Sequence, residues 1–102
     1  MDKEKETMDV KIEIKVDDSI AAGVFSNFAN ISHSPDEFIM DFLFINPSPP
    51  PGFGKLASRI ILSPGHAKRI LSALAENVRK YEERFGEIKV VQTPDSIKNR
   101  IQ

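Results

Sequence analysis

The sequence predicts an α+β domain: an antiparallel sheet of about four strands, followed by one long amphipathic helix packed on one face. Three observations carry this reading. Residues 10–16 alternate strictly between apolar and charged side chains. Residues 37–46, EFIMDFLFIN, are apolar on both faces of an extended strand. At Ser63 the apolar spacing changes from that of a strand to that of a helix, and it keeps that spacing to Phe85.

Taken in order, the first element is residues 10–16. Val10, Ile12, Ile14 and Val16 fall on one side, and Lys11, Glu13, Lys15 and Asp17 on the other. This reads as a half-buried strand at a sheet edge, where lysines discourage pairing with strangers. Asp17, Asp18 and Ser19 make a turn. Residues 20–32 read as a second strand, entered through a bend at Gly23. One face carries Val24 and Phe28 and the other Phe25, Ala29 and Ile31. His33, Ser34, Pro35 and Asp36 form a tight connection, since Pro35 fixes its φ and its neighbours favour turns. The second and third strands should therefore form a hairpin.

The third strand is residues 37–46. Phe38, Met40, Phe42 and Phe44 form one row, and Ile39, Asp41, Leu43 and Ile45 the other. A sheet with one wet face should alternate between apolar and polar residues. This strand does not, so both of its sides need cover. One helix covers one side, and a second copy of the chain is the simplest cover for the other.

Residues 46–55, NPSPPPGFGK, form the obvious break. Four prolines and two glycines cannot join a ladder in the middle of a sheet. The segment reads as an exposed flap with Phe53 between glycines. Residues 56–62 resume as a fourth strand. Ser63 is placed as an N-cap and Pro64 as the first helical residue. Ala67, Ile70, Leu71, Leu74, Val78, Tyr81 and Phe85 then step by three and four, with charged residues opposite. Gly86 is placed to end the helix in a left-handed cap. No helix is expected before the proline loop. We divide the chain into a disordered charged tail at residues 1–7, one domain at residues 8–91 and a polar tail at residues 92–102.

Composition narrows the function. At 102 residues the chain is one domain with a modest core, so association is a plausible source of stability. A net charge of −1 supplies no whole-protein field for nucleic acid or anionic membrane. There is no cysteine, which excludes disulfides, thiolate nucleophiles and cysteine metal ligands. The charged start of the chain lacks the apolar core of a secretory signal, and no stretch is long enough to span a bilayer. These features predict a cytoplasmic protein.

Few side chains suggest chemistry. His33 lies in a Ser-His-Ser-Pro turn, where adjacency alone does not build a nucleophile and base. It reads as a turn-stabilising residue. His66 lies in the first helical turn, where a charged imidazolium would oppose the helix dipole. It should be neutral, and either exposed or packed under the proline loop. A zinc site would need both histidines plus carboxylates, and nothing in their spacing brings them together. Asp41 stands in an apolar row and should pair with Arg59 or a helix lysine, setting register. Along the helix, basic residues interleave with Glu76, Glu82 and Glu83. Arg79 with Glu82 is a favourable pair, and Lys80 with Arg84 a like-charge one. The glycines of the proline loop lack the spacing and setting of a phosphate-binding loop. We therefore expect no catalytic residue, no metal ligand and no cofactor.

Two segments, SNFANISHSPDEFIMDF at residues 26–42 and SRIILSPGHAKRILSALAENVRKYEERFGEI at residues 58–88, resemble a family of small prokaryotic proteins classed as a domain of unknown function. The resemblance implies a strand pair joined by His-Ser-Pro and a Ser-Pro-x-His-Ala-Lys helix ending in a Tyr-Glu…Phe-Gly pattern. It implies no activity. The triple proline departs from the family pattern. The order of elements is also similar to SecB-like export chaperones, a likeness of fold only.

The expected function is a non-enzymatic, self-associating binding or chaperone-like module. It would form a homodimer or a dimer of dimers and contact a protein partner through Phe42, Leu43, Phe44 and Phe53. The rival is a small dimeric nucleic-acid-associated protein using Lys68, Arg69 and Lys80.

Overall fold

The computed structural model describes residues 10–91, and the expected tails at residues 1–7 and 92–102 lie outside them. The architecture is α+β. Strands β1 (Phe28–His33), β2 (Phe38–Asn46) and β3 (Phe53–Leu62) form one antiparallel sheet of order β1-β2-β3. A single helical turn, α1 (Asp18–Ala21), precedes the sheet, and the long helix α2 (Pro64–Phe85) follows it.

Among the described residues the sheet has three strands, one fewer than expected. Residues 10–16 stay out of it and carry no regular structure. Their alternation suits a strand, but a strand also needs a neighbour for its backbone N–H and C=O groups. The second strand is shorter than expected because residues 17–27 are not extended throughout. Asp17 stands at the N-cap position of α1, Asp18 lies in its first turn, and Gly23 turns the chain with φ +80°. These are ordinary helix start and stop signals compressed into one turn, and they correct the expectation that no helix precedes the proline loop.

The entry to β1 is pinned from the side. Asn27 N–H donates to the Leu43 carbonyl at 3.1 Å. The Asn27 side chain accepts from Ile45 N–H at 2.9 Å and donates to the Ile45 carbonyl at 3.0 Å. The amide thus reproduces the paired bonds that one more ladder residue would make. Ser26 Oγ adds a bond to the Leu43 carbonyl at 3.0 Å. At the other end, Ser34 N–H donates to the Glu37 carbonyl at 2.9 Å and closes the His-Ser-Pro turn.

The proline loop is shorter than expected. β3 begins at Phe53, which pairs with Asn46, and Gly54 pairs with Ile45. Phe53 is therefore a strand residue and not the tip of a flap. Gly54 keeps both backbone groups for the ladder and makes room for its neighbour, since a Cβ there would lie 2.8 Å from Ile45 Cδ1. A Cβ on Gly52 would lie 2.5 Å from Pro47 Cα and 2.6 Å from the Asn46 carbonyl oxygen, so only glycine fits there. The ladder between β2 and β3 slips at Phe42/Leu43, where Ala57 is the extra residue of a β-bulge.

The helix begins and ends where its sequence signals place it. Ser63 Oγ accepts from His66 N–H at 3.3 Å, and Pro64 occupies the first turn. Gly86 ends it with φ 100° and ψ 169°. That is a positive φ in the extended region that only glycine visits readily, and not the left-handed helical cap expected. Gly86 N–H donates to the Glu82 carbonyl at 2.9 Å.

Candidate functional site

The ladder sorts the sheet into two faces. Ala29, Ile31 and His33 share a face with Phe38, Met40, Phe42 and Phe44, and with Phe53, Ile60 and Leu62. Phe28, Ile39, Asp41, Leu43, Ile45, Leu56, Arg59 and Ile61 share the opposite one. Helix α2 lies over the first face. It does so only through its first half, and it stands off the sheet. Between them opens an apolar cleft of about 460 Å³, lined by Ile31, Phe38 and Met40 below and by Ala67, Ile70, Leu71 and Leu74 above. Lys68 is the one charged residue lining it.

The consequence for burial is severe. Among the described residues only Leu62, at 7% exposure, is buried. Every residue of β2 is half-buried. Along the helix stripe, Ala67 and Ile70 are half-buried, whereas Leu71 is 68% exposed and Phe85 66%. Tyr81 and Phe85 pack on each other with ring centroids 4.9 Å apart, and the Arg84 guanidinium lies 5.4 Å from the Phe85 ring centre.

The far end of the helix-bearing face carries an aromatic cluster. Phe44 lies edge-on to Phe25 and tilted against Phe53, each at 6.2 Å between centroids. The structure thus places three of the expected contact residues, Phe42, Phe44 and Phe53, on one face. The fourth, Leu43, points to the opposite face beside Phe28 and Leu56. Phe25, Ile31, Phe38 and Met40 were not singled out by sequence reasoning. The row Phe38, Met40, Phe42, Phe44 was visible as a strand face, but the tie to Phe25 depends on the turn at Gly23.

The polar residues bear structural roles. Arg59 chelates Asp41 across the strand pair, Nε to Oδ1 at 2.6 Å and Nη2 to Oδ2 at 3.0 Å. The hydrogen bonds from Arg59 hold the Asp41 carboxyl below the usual carboxylate range, outweighing its partial desolvation. The register-setting pair expected for Asp41 is therefore with Arg59, and a bidentate clamp leaves no oxygen of Asp41 idle as a base. His33 ends β1 and stacks on Phe38 at 5.4 Å. His66 is exposed at the start of α2. The proline loop precedes β3 and His66 follows it, so the ten-residue length of β3 keeps them apart, and of the two placements expected for His66 the structure shows the exposed one. Among the described residues no group of three or more metal-ligating side chains is placed to hold an ion.

On the helix, Arg79 donates to Glu76 at 3.1 and 2.7 Å and to Glu83 at 2.6 Å, not to Glu82 as the spacing suggested. Glu82 turns to accept from Ile88 N–H at 3.0 Å. Lys80 lies 4.0 Å from Glu76. The three candidate nucleic-acid contacts are not brought together: Lys68 lines the cleft, Lys80 leans on Glu76, and Lys68 and Lys80 stand about 18 Å apart along the helix axis. No helix among the described residues is long and apolar enough to cross a membrane.

No curated protein matches the chain, and no solved structure does, so nothing in these comparisons carries the likeness to SecB-like chaperones. A family model described as "Protein of unknown function (DUF3467)" matches residues 1–90. With a sheet-and-helix fold, an open apolar cleft and this match over most of its length, the chain belongs to that family of proteins of unknown function.

Proposed function

We propose that this protein is a non-enzymatic, self-associating binding module of the cytoplasm. It assembles as a homodimer or dimer of dimers and contacts a protein partner through the aromatic surface of Phe42, Phe44 and Phe53. One observation carries the reading: a chain with an ordered sheet and a capped 22-residue helix buries only Leu62 among its described residues. Folding loses about 1–2 kcal/mol of backbone entropy per ordered residue, and apolar burial is the main offset. A second copy is the simplest source of the missing offset.

A stable interface covers about 800 Å² on each partner. Leu71, Leu74, Tyr81 and Phe85 stand at least half exposed along the helix stripe and can contribute to one. The cleft has few polar groups to orient a small ligand, which supports a protein occupant. The nucleic-acid reading has less support, because Arg79 is engaged by two glutamates and Lys80 by one.

Light scattering over a concentration series tests assembly, and a dimer or tetramer at micromolar concentration is expected. A pull-down followed by nuclease and a salt series tests the partner. Protein capture that survives both, and weakens in Phe53→Ala, supports the proposal. Nucleic acid lost steeply as salt rises would overturn it in favour of Lys68, Arg69 and Lys80.

A further inference from the structure

Residues 10–16 remain unexplained by this assembly. Val10, Ile12, Ile14 and Val16 are 62–82% exposed, and they alternate with Lys11, Glu13 and Lys15. Four β-branched residues on one side of an extended segment are a poor choice for a solvated leader and a good one for a sheet. The sheet has an edge of matching length. The outer side of β1, residues Phe28–His33, pairs with none of the described residues.

We infer that residues 10–16 of one copy add as a fourth strand to the outer edge of β1 in a second copy, reciprocally. The inference rests on the self-association proposed above and names the contact that makes it.

Three observations select this arrangement. First, side-chain chemistry matches face by face. β1 presents Ala29, Ile31 and His33 on the helix-bearing face, and Phe28, Asn30 and Ser32 on the other. A strand with its apolar row beside Ala29 and Ile31 and its charged row beside Asn30 and Ser32 suits this edge, and a slip of one residue would reverse the match. Second, the apolar row then enters the cleft from its β1 side, where Ile31 forms the wall. Third, the opposite sheet edge is less suitable. β3 carries Lys55 and Arg59 and a bulge at Ala57, features that discourage strand addition.

A second copy is favoured over the same chain by how residues 17–27 are held. The turn α1, Gly23 and the Ser26 and Asn27 bonds to β2 direct the chain into β1 while leaving residues 10–16 off their own sheet. Exchange also buries two segments and two clefts in a single event.

The absence of cysteine gives a clean background for the test. Ile14→Cys protein is mixed with Ile31→Cys protein and treated with a short bismaleimide. A covalent heterodimer from the mixture is expected. Ile14→Pro removes a ladder donor and should raise the dimer dissociation constant at least tenfold, with the helical circular dichroism of α2 retained. Assembly of Ile14→Pro at wild-type concentration would overturn the exchange and leave self-association standing. So would cross-linking confined to single chains of the Ile14→Cys/Ile31→Cys double variant. A wild-type monomer at micromolar concentration would overturn both.

Discussion

The sheet and the long helix are both well formed, but for opposite reasons. The sheet is specified by contacts across the sequence: the two ladders, the Asn27 clamp on Ile45 and the Arg59 clamp on Asp41. Helix α2 is specified by neighbours along the sequence: Ser63 and Pro64 at its start, Gly86 at its end, and Glu76, Arg79 and Glu83 on its outer side. The sheet is held by tertiary structure, and the helix is local structure awaiting it. An amphipathic helix draws most of its stability from packing, so the stripe from Leu71 to Phe85 is the part of the molecule with most to gain from assembly.

The same change made in each region separates the two cases. Phe42→Asp puts a carboxylate into the central strand, beneath the helix-bearing face. It should unfold the chain, at about 3 kcal/mol or more, with loss of both sheet and helix signals in circular dichroism. Leu74→Asp sits on a stripe that the described residues leave in water. It should dissociate the oligomer in sedimentation while the sheet survives. If Leu74→Asp left the assembly intact, the stripe would not be its interface.

Smaller effects sharpen the contrast. Asn27→Ala removes two bonds that stand in for a ladder pair, and should reduce stability by about 1–2 kcal/mol in urea titration. Ser63→Ala removes one long cap bond, and should lower it by about 0.5–1 kcal/mol. A reversal of that order would mean that the cap holds the helix in place over the cleft, and is more than a local stop.

The smallest effect is on pH. Arg59 lowers Asp41 from its ordinary value of 3.8, and Arg79 lowers Glu76 from 4.5. Groups with depressed folded values contribute above their unfolded values and lose that contribution as pH falls through the folded ones. Stability should therefore fall in acid, beginning below pH 4.5 for the helix pair and below 3.8 for the sheet pair. Arg59→Gln should flatten the lower part of that curve and leave the upper part. Both pairs are open to solvent, so salt should weaken the trend.

These differences also explain what could be read from the sequence. The bounds of α2 were legible because every signal for them is local: a cap, a proline, a period and a glycine. The strand at residues 37–46 was legible because its length and β-branched and aromatic content exclude other readings. Residues 10–16 show why pattern alone is insufficient, since alternation states which side is apolar but not which backbone will pair with it. The turn at Asp18–Ala21 was misread because Val24 and Phe28 continue an apparent alternation through Gly23. At the site, the aromatic row of β2 was visible, yet the sequence assigned the helix stripe wholly to covering the sheet. The standoff that creates the cleft depends on how the chain leaves β3 at Ser63, and no residue type encodes that angle.

The bulge at Ala57 has a consequence for how this strand tolerates change. Phe53 and Ile60 lie seven positions apart, an odd separation, and in a regular strand they would point to opposite sides. Ala57 consumes one position, so both arrive on the side that bears the helix. Deleting Ala57 would leave Phe53 and Ile60 six positions apart, an even separation that a regular ladder puts on one side, so every side chain of β3 would keep its face and only the bulge would go. Inserting one further residue beside Ala57, with a single bulge kept, would instead turn Phe53 and Lys55 to the far side and bring Leu56 to the near one. Of one-residue changes in length at this point, the strand absorbs the loss and not the gain.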